Sequence, residues 1–147
     1  VILAKAMGLS FIDTDIILQE KSGRLLQEMI DTDGIEKFLE FEEKELLNQG
    51  FNRTVIATGG SVVYSEKLMK ALKKSSITVY LDVPLPEFKK RIKNISTRGI
   101  VIGKNQDFRD MYNERKPLYE KYSDIKIDCE FSSVEDIINE IIIRMKG

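Results

Sequence analysis

Short apolar segments rich in β-branched residues alternate with longer amphipathic segments along this chain, and that alternation limits its possible folds. The short segments predict strands at residues 10–12, 55–58, 77–81 and 125–128. The longer segments predict helices at residues 1–7, 15–21, 25–30, 35–49, 65–73 and 107–122, with further helices after Pro84 and Ser132. Strands separated by helices predict an α/β fold, with a mostly parallel sheet and helices on both faces.

The expected helix boundaries rest on residues with strong terminal preferences. Gly8 is expected to end the first helix, and Asp107 to cap a later one. Pro84 suits the first turn of a helix, where its missing N–H does no harm. Ser132 and Glu135 are spaced as a capping box for the last helix. The buried stripe of that helix is expected to contain Val134, Ile137, Ile138, Ile141, Ile142 and Met145.

Composition excludes several classes of function. The 147 residues suffice for one domain, and a net charge of −1 offers no broad basic surface for nucleic acid. No apolar run approaches the roughly 18 residues of a membrane span. Because the chain has no histidine, Ser-His-Asp and Cys-His catalysis are impossible. The single cysteine, Cys129, cannot form an internal disulfide, which agrees with a cytoplasmic location, and we expect it to serve in packing.

Two carboxylates and a pair of glycines stand where predicted strands end. Asp13 and Asp15 are two positions apart, so a strand would point both side chains the same way. At the carboxyl end of a strand in an open α/β sheet, that direction is the ligand crevice. A second predicted strand runs into Gly59 and Gly60, and Arg115 follows later. An acidic pair, a glycine turn and arginines together indicate a phosphoryl-transfer site.

These segments, in this order, resemble the shikimate kinase family of small P-loop kinases. The matching positions are Leu3 to Gly8, Asp13-Thr14-Asp15, Ser22-Gly23-Arg24, Asp33-Gly34 with Phe38 and Glu42, Ala57 to Gly60, Val79-Tyr80-Leu81, Thr97-Arg98, and Arg115 with Pro117, Leu118 and Tyr119. The resemblance implies a three-layer P-loop kinase fold over residues 1–147. It also implies a monomer that uses ATP and Mg²⁺ to phosphorylate the 3-hydroxyl of shikimate.

On the acceptor side, the resemblance assigns roles to five residues. Asp15 would bind the shikimate hydroxyls and orient the attacking oxygen, although an aspartate there also suits a helix N-cap. Gly59 and Gly60 would let backbone amides approach the substrate, or would form an ordinary tight turn. Arg115 would bind the shikimate carboxylate, since a planar guanidinium matches that group. Glu42 would orient an arginine or bind substrate indirectly, or it would be a surface charge.

On the nucleotide side, the resemblance assigns three further residues. Asp13 would lie near Mg²⁺ and act through a metal-bound water, or it would be a solvated acid at a strand end. Arg91 would stack on adenine, although it could equally belong to a basic helix face. Arg98 would act from a lid, predicted at residues 96–106, and stabilise charge during transfer. A solvated loop arginine is the alternative for Arg98.

The chain departs from the family pattern at several positions. No G-x-x-G-x-G-K-S/T loop occurs in it, and we expect the natural protein to carry one before Val1. Leu39 stands where the family places an arginine, Ser61 replaces a third glycine, and Gly99 replaces a proline. A non-catalytic relative, or a kinase for another hydroxylated acid such as gluconate, therefore remains an alternative.

Overall fold

The computed structural model describes residues 1–92, 99–130 and 132–147. The strands are β1 (Ser10–Asp13), β2 (Thr54–Ala57), β3 (Val79–Asp82) and β4 (Ile125–Asp128). The α-helices are α1 (Ile2–Met7), α2 (Thr14–Ser22), α3 (Leu26–Asp33), α4 (Ile35–Leu47), α5 (Glu66–Lys73), α6 (Leu85–Arg91), α7 (Phe108–Tyr122) and α8 (Val134–Lys146). This order confirms the predicted alternation.

The described strands form two parallel pairs. In one pair β1 lies beside β2, in register from Ser10 opposite Thr54 to Asp13 opposite Ala57. In the other pair β3 lies beside β4 with the same direction. Among the described residues no strand pairing joins the two pairs. The predicted parallel direction is confirmed, and the β1–β2 register brings the chain after Asp13 close to the chain after Ala57.

Two apolar clusters support these pairs. The larger one lies among α2 to α5, the turn after β2 and α7, and it includes Leu18, Met29, Phe38, Val62, Leu68 and Tyr122. The smaller one joins the β3–β4 pair to α8 and α1, and it includes Ile127, Cys129 and Ile141. Cys129 is buried there with only 3% of its surface exposed, so its predicted packing role is confirmed.

Several predicted boundaries are confirmed, while one capping box is wrong. Gly8 ends α1 in the left-handed region, and Asp107 caps α7 with Asp110 completing a capping box. The last helix is capped by Ser133 with Asp136, and not by Ser132 with Glu135. The helix therefore begins one residue later, and Val134 at its first position is 58% exposed. Ile137, Ile141 and Met145 do line the core as expected.

Smaller differences have local causes. β3 starts at Val79, since Thr78 donates its N–H (2.8 Å) and its hydroxyl (2.6 Å) to the Asp124 carboxylate. Residues Gly60–Tyr64 form a 3-10 helix that no periodicity predicted. Pro84 occupies the N-cap position of α6 and therefore precedes the first turn, in which it was expected. No helix in the described parts of the chain has the length and apolar character needed to cross a membrane.

Candidate functional site

Asp13 and Asp15 have different structural roles at the junction of β1 and α2. The Asp13 carboxylate accepts the Asp15 N–H at 2.9 Å and caps α2. The predicted alternative of Asp15 as the cap is therefore wrong, because the cap lies two residues earlier. With Asp15 in the first helical turn, its carboxylate lies directly against Gly59. A Cβ placed on Gly59 would stand 2.8 Å from Asp15 Oδ1.

Gly59 follows β2 and is held by a neighbour of the acidic pair. Its N–H donates to Thr14 Oγ1 at 3.2 Å, and Thr14 is buried. The Gly59 amide therefore has an acceptor within the protein. Because φ at Gly59 is −62°, the glycine is required for the close approach of Asp15 and not for its backbone conformation.

Gly60 packs against two side chains of α7. A Cβ there would lie 2.7 Å from Arg115 Nη1 and 2.8 Å from the Tyr119 hydroxyl. The Tyr119 hydroxyl also donates to the Gly60 carbonyl oxygen at 2.9 Å. Two adjacent glycines therefore allow one carboxylate and one guanidinium to approach neighbouring residues of a single turn.

Arg115 is fixed by protein acceptors and is 6% exposed. Its Nη2 donates to the Val101 carbonyl, and its Nε donates to the Tyr64 hydroxyl at 3.2 Å. Its guanidinium also lies 5.3 Å from the centre of the Tyr64 ring. These contacts orient the guanidinium and leave Nη1 as the nitrogen that faces Gly60.

Glu42 reaches the same turn from α4 and is 2% exposed. Its Oε2 lies 3.6 Å from the position of a Cβ on Gly59, and Ser61 Oγ lies 2.9 Å from both of its oxygens. Burial raises the pKa of Glu42 to about 7, and the charge of Asp15 raises it too, while Ser61 and Arg115 oppose the shift. Glu42 is therefore not the surface charge that the sequence left open.

A family comparison decides where this arrangement belongs. The family model described as shikimate kinase (SKI) matches residues 1–146. The chain belongs to the shikimate kinase family. Its fold is the α/β fold of the P-loop kinases, as the resemblance predicted.

Individual relatives give the degree of similarity. Shikimate kinase of Mycobacterium ulcerans (strain Agy99) is 30% identical over 146 residues, covering 97% of this chain and 79% of that protein. Threonine synthase-like 1 of Homo sapiens is 34% identical over 149 residues, covering 99% of this chain and 20% of that protein. The solved shikimate kinase from Acinetobacter baumannii in complex with shikimate matches with a TM-score of 0.86 and 25% identity, covering 98% of this chain and 82% of that one.

Two of the residues expected on the nucleotide side of this shikimate kinase family member, Arg91 and Asp13, are engaged in other contacts. Arg91 ends α6, where it pairs with Glu87 at 3.0 Å, and its charge opposes the rise in the pKa of Cys129 that burial causes. Arg98 lies outside the described residues. Within the described ranges no group of three or more His, Cys, Asp or Glu side chains could hold a metal ion. Asp13 uses its Oδ1 atom in the cap of α2.

The predicted lid, residues 96–106, is described only from Gly99 onward. Val101 is buried in the larger cluster, and its carbonyl binds Arg115. At Gly99 φ is +65°, and a Cβ there would collide with Leu26. A proline, which requires a negative φ, is incompatible with this backbone, and this explains why glycine stands here. The end of the segment is thus attached to the body of the domain.

Sequence reasoning missed four contributors to the site: Thr14, Ser61, Tyr64 and Tyr119. Thr14 stands in the middle of the acidic motif and Tyr119 beside Arg115, and the resemblance assigned a role to neither. The hydroxyls of Thr14, Tyr64 and Tyr119 contact the turn or Arg115 across 45 to 59 residues of chain. The hydroxyl of Ser61 contacts Glu42 across 19 residues. The one available signal was the presence of hydroxyl residues beside the acidic, glycine and arginine motifs.

Proposed function

We propose that this protein transfers the γ-phosphoryl group of ATP to the 3-hydroxyl of shikimate. The observation that carries the proposal is the pair of close approaches at the glycine turn, with Asp15 against Gly59 and Arg115 against Gly60. Family membership supports the reaction class, and the related Acinetobacter baumannii enzyme is described in complex with shikimate. We also place the reaction in the cytoplasm, supported by the single buried Cys129.

Arg115 is assigned to the acceptor carboxylate. Its Nε and Nη2 are already bound to protein oxygens, so the guanidinium is held in place before an acceptor arrives. Nη1 faces the turn and offers a charge-assisted hydrogen bond to a carboxylate there. Because the side chain is pre-organised, little of its rotamer freedom remains to be lost on binding.

Asp15 is assigned to the hydroxyl that attacks. Phosphoryl transfer depends mainly on positioning and charge stabilisation, so a carboxylate that accepts the hydroxyl proton and fixes the oxygen is sufficient. Asp15 lies at Gly59 and Arg115 at Gly60, so an acceptor bound by its carboxylate presents its hydroxyls toward Asp15. ATP supplies the phosphoryl group.

The nucleotide side is assigned to residues outside the glycine turn. We assign Arg91 to stacking on adenine. We assign Arg98, in a lid over residues 96–106, to stabilising the charge of the phosphoryl group during transfer. We keep Asp13 for Mg²⁺, which it would hold through a metal-bound water beside the phosphates of ATP.

The test is acceptor-dependent ADP release by the complete protein as its gene encodes it. Reactions contain ATP with shikimate, with gluconate or with no acceptor. We expect turnover with shikimate, and phosphorus NMR of the product should show a monoester at the 3-position. Turnover with gluconate instead would assign a different acceptor. ADP release that no acceptor stimulates, by a folded protein, would favour the non-catalytic alternative.

A further inference from the structure

The buried carboxylate of Glu42 has an unusual neighbourhood for a charged group. It flanks Gly59 together with Asp15, since both carboxylates lie within 4 Å of the position that a Cβ on Gly59 would occupy. A buried carboxylate normally requires a cation or several donors. Within the described ranges, no lysine or arginine lies at salt-bridge distance from Glu42.

Ser61 supplies the hydrogen bond that this carboxylate receives. Its hydroxyl lies 2.9 Å from both Glu42 oxygens and is itself on a residue only 6% exposed. A hydroxyl carries one proton, so the two short distances fit two arrangements. Either the Ser61 hydroxyl shares its proton between both oxygens of an ionised Glu42, or it donates to one oxygen and accepts a proton from the other when Glu42 is protonated. The pair therefore suits Glu42 in either protonation state. Leu39, one turn earlier on α4, packs into the core and offers no charge.

We propose that Ser61 is a positioning residue of the acceptor site, which holds Glu42 beside the Gly59–Gly60 turn so that the proton on Glu42 controls how well a carboxylate-bearing acceptor binds. This inference rests on the proposed function for the identity of the acceptor. The contact between Ser61 and Glu42 stands independently of it.

The charges around Glu42 determine the direction of the effect. Asp15 on α2 repels the ionised form, Arg115 on α7 attracts it, and Tyr119 on α7 also faces it. Glu40, Glu43 and Tyr64 line the adjoining cavity of about 160 Å³. Ionised Glu42 neutralises part of the Arg115 charge and repels an acceptor carboxylate. Protonated Glu42 leaves Arg115 for the acceptor, so affinity falls as pH rises through about 7, where burial places the pKa of Glu42.

The experiment measures shikimate affinity by calorimetry from pH 6 to 9 in the complete protein. Wild type should weaken by about tenfold over this range, because one like-charge interaction is added. Ser61→Ala removes the donor that favours the ionised form and should move the midpoint up by about one pH unit. Ser61→Thr keeps the hydroxyl and should restore the wild-type midpoint. Glu42→Gln should abolish the pH dependence.

One control variant and one further measurement distinguish a positioning role of Ser61 from a general loss of stability. Ser65→Ala removes another serine hydroxyl from a glutamate, Glu43, and also removes the cap of α5. It should lower the melting temperature without moving the affinity midpoint. Carbon-13 NMR of the Glu42 side-chain carboxyl follows the same titration without any ligand.

The outcomes are distinguishable. Equal Glu42 midpoints in wild type and Ser61→Ala, by NMR, would overturn the role of Ser61. A shifted NMR midpoint with a pH-independent shikimate affinity would overturn the control of acceptor binding. No shikimate binding at any pH, with the NMR shift present, would overturn the proposed acceptor and leave the Ser61–Glu42 contact supported.

Discussion

At the scale of single residues, the site depends on two glycines whose missing side chains let charged groups come close. The strongest case is Gly59, because an alanine Cβ would stand 2.8 Å from Asp15 Oδ1 without any backbone strain. The carboxylate would have to move to remove that contact. Asp15 is assigned to the attacking oxygen, so a displacement of this size should affect the reaction more than the fold.

Gly59→Ala should therefore lower kcat about tenfold or more, with a small change in melting temperature. Steady-state kinetics and thermal denaturation of the same preparations measure both effects. Gly50→Ala is the matched control, since a Cβ there meets nothing within 4 Å. Unchanged kcat in Gly59→Ala would remove Asp15 from its assigned position.

Arg115 carries the assigned acceptor contact. Losing one charge-assisted hydrogen bond costs about 1.5–3 kcal/mol, so Arg115→Ala should weaken shikimate binding roughly tenfold to over a hundredfold. Arg109→Ala, an exposed arginine on the same helix, is the control and should bind normally. Leu39→Arg adds a cation near Glu42 and should tighten binding. Calorimetric titration compares the variants, and normal binding by Arg115→Ala would exclude that residue from the site.

Glu42 makes stability depend on pH in a defined direction. The pKa of Glu42 in the folded protein is about 7, above the usual 4.5. The stability that the neutral carboxyl contributes is therefore complete below pH 4.5 and is lost as the pH rises through about 7. A shift of this size corresponds to about 3 kcal/mol at most. Urea unfolding at pH 5 and pH 8 should show Glu42→Gln gaining stability relative to wild type at the higher pH. Exposed Glu40→Gln controls for loss of charge, and parallel pH curves for wild type and Glu42→Gln would contradict the buried assignment.

At the scale of elements, α7 links the predicted lid to the acceptor site. It carries Arg115, which binds the Val101 carbonyl, and Tyr119, which binds the Gly60 carbonyl. Its start is fixed by the capping box of Asp107 with Asp110, whose N–H lowers the pKa of Asp107. The position of this helix therefore decides where the guanidinium lies.

The caps of α7 and α8 give a matched comparison. Asp107→Ala and Ser133→Ala each remove the side chain that caps one helix, and each should lower the melting temperature by about 2–6 °C. Only Asp107→Ala should also weaken shikimate binding, because α8 carries no assigned site residue. Equal binding by both variants would show that α7 is held in place by packing alone.

The elements were predictable to the extent that they follow local patterns. Strand β4 was predicted with its observed bounds, and Gly8 and Asp107 fixed helix ends as expected. The 3-10 helix Gly60–Tyr64 was not predicted, because five residues are too few to show a helical period. Ser132 was preferred to Ser133 because both serines have an acid three residues later, and only the fold selects between them.

At the scale of the whole molecule, the site is assembled from residues far apart in the chain. Motif order predicted that Asp15, Gly59 and Arg115 would share a site, and the structure brings them to one turn. Their supporting contacts were not predictable, since the Thr14 bond to Gly59 and the Ser61 bond to Glu42 depend on how the strands and helices pack. The division of the strands into two pairs was also missed, because alternation predicts the direction of strands and not their neighbours.

The central claim is that the Gly59–Gly60 turn binds the acceptor between Asp15 and Arg115. A crystal structure of the complete protein with shikimate tests it most directly. We predict that the shikimate carboxylate lies within hydrogen-bond distance of Arg115 Nη1, and that a ring hydroxyl lies within hydrogen-bond distance of the Asp15 carboxylate. Clear density for shikimate elsewhere on the protein, or at the turn with its carboxylate away from Arg115, would contradict the claim.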